Sequence, residues 1–231
     1  VIFSTKSLQN NKKFIDLRPL IKLDSMKATM KTLSAILICC FISTIQMYGE
    51  NIQRPESENY VKGVEALNEG NPEAAYTYLN AEINEHPDNG YAHCYMALIC
   101  NFCNDTKLAL QALNSSLELI PEADTEYRSF AHYSRGVLLS NLKMWERAEA
   151  DLSEAIRLNP EDVENYKSRA QLYFETERYE ESLDDLTRAL KLDSKADVND
   201  LMLQLMAVAP TSEFMERITA TYQQLDQVTI H

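Results

Sequence analysis

The chain has 231 residues, with only five glycines and seven prolines, a balance that argues against a turn-rich β-fold and for helices. Its formal charge is −13, unevenly spread: residues 1–49 hold seven Lys/Arg and two Asp/Glu, so 15 basic and 33 acidic residues remain in 50–231, a charge of −18. A surface that negative repels a phosphate backbone and gains nothing from an anionic bilayer face, which argues against nucleic acid and membrane surfaces as partners.

Residues 1–25 carry no packing pattern. They read as a disordered extension, or as upstream sequence translated ahead of a true start at Met26 or Met30. Residues 26–49 read as a signal peptide. Lys27 and Lys31 precede an apolar run from Leu33 to Ile45, and polar Gln46 and small Gly49 follow. The run is shorter than the ~20 apolar residues that span a bilayer. Cleavage before Glu50 would place Met47 and Gly49 at −3 and −1. A lipoprotein anchor needs a small residue before its cysteine; Ile38 before Cys39 and Cys39 before Cys40 disfavour that mode. The competing reading is a buried N-terminal helix. A leader predicts a periplasmic or secreted protein.

From Ser57 onward apolar residues recur at i, i+3, i+4 and i+7 in helix-length blocks. The spacing predicts paired helices at 57–69 with 73–86, 90–103 with 106–119, 126–141 with 145–158, and 162–176 with 179–192. Gly70-Asn71-Pro72 and Asp88-Asn89-Gly90 punctuate the first blocks, and Asn104-Asp105 offers a cap for a helix starting at Thr106. Cys94, Cys100 and Cys103 fall on one of these helices. They read as small packing residues, since neighbours on a helix rarely reach disulfide geometry.

The blocks repeat. Leu79, Leu113, Leu152 and Leu186 are spaced by 34, 39 and 34 residues, and Ala75, Ala109, Ala148 and Ser182 each stand four residues earlier. Pro87, Pro121 and Pro160 close the first three blocks. Self-similarity at 34 residues predicts an all-α solenoid of antiparallel helix pairs. With small residues at Gly63, Ala97, Gly136 and Ala170, and with Trp145-Glu146-Arg147-Ala148 and Tyr179-Glu180-Glu181-Ser182-Leu183 opening second helices, the array resembles tetratricopeptide repeats. The resemblance implies an array over 50–194, with units at about 56–89, 90–123, 129–162 and 163–196, and a degenerate fifth helix pair at 197–231, broken at Pro210. The small residues should let paired helices approach closely, with the leucines filling the space between pairs.

Departures from the family pattern carry their own expectations. Glu82 and Ser116 replace small apolar residues and should loosen units one and two. Five extra residues within Glu122–Arg128 predict either a longer loop or an extra helical turn. The near-continuous apolar run Leu201–Val208 should pack against something or be followed by more repeats.

No glycine-rich phosphate loop, nucleophile elbow or zinc-helix motif occurs, so no catalytic, cofactor-binding or metal residues are predicted. His93, His132 and Trp145 read as packing residues. Adjacent acids such as Asp184 and Asp185 point in different directions on a helix and read as a solvated face.

In such an array the first helix of each pair lines the concave face. By spacing, the groove candidates are Tyr60 and Val64 in unit one, then Tyr91, Leu98 and Asn101 in unit two. Unit three offers Tyr133, Val137 and Asn141, and unit four Lys167 and Gln171. Aromatic faces interleaved with amides suit an extended peptide or a partner helix. The alternative for the tyrosines is packing between pairs. The sequence therefore predicts a non-catalytic scaffold for a protein or peptide. A second expectation is a recruiting segment of a larger envelope enzyme whose catalytic domain lies elsewhere; a third is self-association through 197–226.

Overall fold

The computed structural model describes residues 52–209 and 211–228; the expected leader at 26–49 and the extension at 1–25 lie outside them. Ten helices and no strand occur among the described residues. They are α1 (Glu58–Asn68), α2 (Pro72–Glu85), α3 (Gly90–Phe102), α4 (Thr106–Leu119), α5 (Thr125–Asn141), α6 (Trp145–Leu158), α7 (Val163–Glu175), α8 (Tyr179–Leu192), α9 (Asn199–Val208) and α10 (Ser212–Val228). The first eight are the four predicted pairs. Each packs on its partner and on the neighbouring pair, giving the stacked order of a solenoid.

Local chemistry starts and stops these helices. Asn71, Asn89, Asp105, Asp124 and Asp162 accept first-turn backbone N–H groups of α2, α3, α4, α5 and α7, and Pro72 occupies the first turn of α2. Between the two helices of each unit one residue turns the chain in the left-handed region: Gly70 (φ 70°), Asn104 (60°), Lys143 (58°) and Glu177 (60°). These four repeat at 34, 39 and 34 residues, the same spacing as the leucines.

Two of the leucines seat against the glycine of their own pair, while Leu152 and Leu186 also share a core with residues of the following pair, as the expected filling between pairs requires. A Cβ at Gly63 would come within 2.6 Å of Leu79 Cγ, and one at Gly136 within 2.8 Å of Leu152 Cγ. The missing side chain on the first helix is the socket for the leucine on the second. The expected loosening at Glu82 and Ser116 does not take the form of exposure, since both are enclosed (1% and 0% exposed). Glu82 keeps one carboxylate oxygen partnered, accepting from Asn89 Nδ2 at 2.8 Å.

The 39-residue step resolves in favour of the extra turn. α5 has 17 residues, against 13 in α3 and α7. Most of the five-residue excess therefore lies in the helix. Arg128, in the added turn, donates to the carbonyls of Leu117 (2.9 Å) and Ile120 (3.1 Å), closing the C-terminal end of α4.

The apolar run at 201–208 packs on the array. Leu201, Met202 and Leu205 of α9, with Phe214 and Ile218 of α10, join Leu183, Leu186 and Leu190 of α8 in one core. Arg217 ties α10 to Glu180 and Asp184 of α8. The last pair thus covers the exposed end of unit four. Leu203 still faces outward, 59% exposed.

Candidate functional site

α3 touches α5 and α5 touches α7, so the first helices of successive units form a continuous inner row. Two different surfaces occur along it.

Over units one to three the inner row is filled by tyrosines. Tyr60, Tyr91, Tyr95 and Tyr127 are all buried. Tyr127, on the added turn of α5, stands edge-on to Tyr91 with ring centroids 4.7 Å apart, and its hydroxyl lies 3.1 Å from that of Tyr95 and 3.4 Å from that of Tyr60. The extra turn therefore reaches across unit two to unit one. Asp124, the cap of α5, accepts the Tyr91 hydroxyl at 3.0 Å and is itself enclosed (1% exposed). Burial, together with the neighbouring hydroxyls and Asp124, pushes the Tyr60, Tyr91 and Tyr95 phenols above their ordinary value, so they stay protonated donors. Arg54, ahead of α1, pairs with Asp124 and Glu126 and lies over the Tyr127 ring. Tyr60 and Tyr91 thus form the packing alternative considered for them. Tyr95, Asp124, Glu126 and Arg54 are members that sequence spacing did not single out.

Over units three and four the inner row is more open. Asn141 is exposed; Tyr133, Val137, Lys167 and Gln171 are half-buried. Tyr133 and Val137 rest on the core of units three and four, and burial pushes the Tyr133 phenol up to about 12 despite a hydrogen bond with Ser168. Lys167 Nζ donates to Glu164 at 2.8 Å and Gln171 Nε2 to Glu175 at 3.0 Å. In unit two Asn101 is exposed, while Leu98, like Val64 of unit one, is half-buried against the first core.

One register position records how the units differ. Sixteen residues separate Lys62 from Tyr78, Met96 from Ala112, Arg135 from Asp151 and Arg169 from Asp185, one member of each pair on each helix of a unit. Lys62 lies 5.7 Å from the Tyr78 ring. Arg135 and Arg169 grip their aspartates through two nitrogens, at 2.7 and 2.8 Å and at 2.8 and 2.8 Å. His132 Nδ1 also lies 2.9 Å from Asp151, and His93 Nε2 lies 3.0 Å from the Pro87 carbonyl.

Cys94 and Cys100 are buried free thiols, and burial pushes them up to about 12 and about 11, so neither is a thiolate at neutral pH. Among the described residues no group of three or more His, Cys, Asp or Glu is placed to hold a metal ion, and no helix is long and apolar enough to cross a membrane.

The tetratricopeptide repeat family profile matches residues 131–162 and 164–195, the two units that carry the Arg–Asp clamp, so the chain carries tetratricopeptide repeats there. A stretch of 87 residues is 31% identical to the Lipoprotein NlpI homolog of Haemophilus influenzae. It covers 38% of this chain and 28% of that protein, so the chain matches little more than a quarter of its curated relative's length. Solved structures of the same fold include MamA 41-end from Desulfovibrio magneticus RS-1, with 19% identity, 74% of this chain and 94% of that one covered, and a TM-score of 0.59. They also include pilF of Pseudomonas aeruginosa (19%, 73% and 74%, 0.58) and YrrB, a TPR protein with an unusual peptide-binding site (21%, 59% and 68%, 0.51). Identities this low speak to the fold alone.

Proposed function

We propose that this chain is a non-catalytic scaffold that holds a protein or peptide segment on the inner face of its solenoid, in the cell envelope or outside the cell. The observation that carries the reading is the contrast along the inner row. Four buried tyrosines fill much of its first half, where Asn101 is exposed, whereas α5 and α7 present exposed Asn141 with half-buried Val137 and Gln171. An apolar side chain flanked by amides can seat an extended chain and bond its backbone. The repeat fold supports this role, and YrrB offers a precedent for a peptide site on the same fold. The leader-like pattern expected at 26–49 and the lipoprotein relative support the envelope location.

The test is selection of peptides from a displayed library on the full chain, followed by binding to the double variant Asn141→Arg, Gln171→Arg. Loss of binding with an unchanged helical circular dichroism signal is expected. Undiminished binding by the folded variant contradicts the inner-face reading.

A further inference from the structure

Arg54 lies in residues 52–57, a stretch without helix or strand that precedes α1. Its guanidinium meets α5, 70 residues further on. Nε donates to Asp124 Oδ2 at 3.1 Å, and Nη2 donates to Asp124 Oδ1 at 3.2 Å and to Glu126 Oε2 at 2.7 Å. The guanidinium carbon sits 4.5 Å from the Tyr127 ring centre. The Tyr91 hydroxyl donates to Asp124 Oδ2, the same oxygen that accepts Arg54 Nε. Two carboxylates in a fork, one aromatic face and a hydroxyl that fixes the buried carboxylate make a receptor matched to a planar guanidinium. An ammonium lacks the planar fork that meets both oxygens of Asp124 through two nitrogens and stacks on the ring.

The receptor lies on the inner row, and it is assembled by the added turn of α5 that distinguishes unit three. Its occupant is about a quarter exposed, as is Glu126, so the rim of the site is open to solvent. We infer that the pocket of Asp124, Glu126, Tyr91 and Tyr127 is a binding site for the arginine side chain of a partner peptide, filled in cis by Arg54 as a built-in competitor that an incoming chain displaces. This inference rests on the inner-face peptide binding proposed above, and it names the side chain that the closed half of the groove recognises. Occupation in cis lowers the apparent affinity for an outside ligand by the fraction of time the site stands empty.

The test compares the full chain with Arg54→Ala, using a fluorescein-labelled alanine pentapeptide with one central arginine and the same peptide with citrulline. Arg54→Ala is expected to bind the arginine peptide on the order of tenfold more tightly than the unaltered chain, because the competing guanidinium of Arg54 is removed. The citrulline peptide should show no gain, and adding Glu126→Gln to Arg54→Ala should abolish it. Because loss of Arg54 strips the buried Asp124 of its cation, the thermal midpoint supplies a second measurement. Millimolar methylguanidine should raise the midpoint of Arg54→Ala and leave that of the unaltered chain in place. Equal affinity of both chains for the arginine peptide, or a midpoint of Arg54→Ala indifferent to methylguanidine, overturns the inference. If that happens while Asn141→Arg, Gln171→Arg still abolishes binding of library peptides, the guanidinium site falls and the open-groove reading stands.

Discussion

Lys143 and Glu177 hold backbone conformations that favour glycine, at φ 58° and 60°. A side chain there costs about 1–2 kcal/mol of local strain, partly offset by the greater freedom that glycine has in the unfolded chain. Lys143→Gly should therefore stabilise the fold by up to about 1 kcal/mol, which for a chain of this size raises the thermal midpoint by about 2–4 °C. An unchanged or lower midpoint would show that the turn is not strained. The break at Gly70 was legible, because glycine marks a turn; at Asn104 the sequence offered a helix cap rather than a left-handed turn. Lys143 and Glu177 were not legible, because nothing in their chemistry marks the turn and only the 34-residue register reveals it.

At the scale of the helix pair, Arg135 and Asp151 bolt α5 to α6. Burial alone would push the Asp151 carboxyl up, but the hydrogen bonds from Arg135 and His132 outweigh it and hold it below the usual carboxylate value. A depressed pKa in the folded state contributes stability that is present above the unfolded value of about 3.9 and is lost as the pH falls through the folded one. Asp151→Asn should thus lower the unfolding midpoint at pH 7, and the gap to the unaltered chain should narrow as the pH falls below about 4. A gap that stays constant from pH 7 to pH 3 would assign the loss to packing. Helix bounds and pairing were readable from the apolar period, and the structure places each end within a residue or so of expectation. The intra-pair seat of Leu79 and Leu152 was not readable, because a 34-residue period fixes a residue's register without fixing which neighbour it touches. The added turn of α5 was one of two options for the surplus at Glu122–Arg128. What decides it is Arg128, which closes α4, and Tyr127, which fills the space between α1 and α3; both contacts depend on the three-dimensional stacking of units.

Among the described residues, four units and a covering pair form a row whose inner helices carry buried tyrosines at one end and more exposed amides towards the other. Composition, period and charge foretold the row and its helices. They placed Tyr60 and Tyr91 on the inner side but not their burial, which depends on Tyr127 arriving from the next unit. Arg54 and Asp124 were invisible to any local pattern, being 70 residues apart. The covering pair accounts for most of the apolar run at 201–208, and Leu203 and Val208 of that run are exposed on the 197–226 surface proposed for self-association. If copies associate through it, light scattering of the full chain should show a concentration-dependent mass that Leu203→Glu abolishes; a constant monomer mass removes the idea. The account's central claim is that the inner row of the solenoid holds a peptide. Hydrogen exchange of the full chain with and without a library-selected peptide tests it most directly. Added protection is expected along α5 and α7, with α6 and α8 unchanged. Protection confined to α6 and α8, or to residues 199–228, would contradict it.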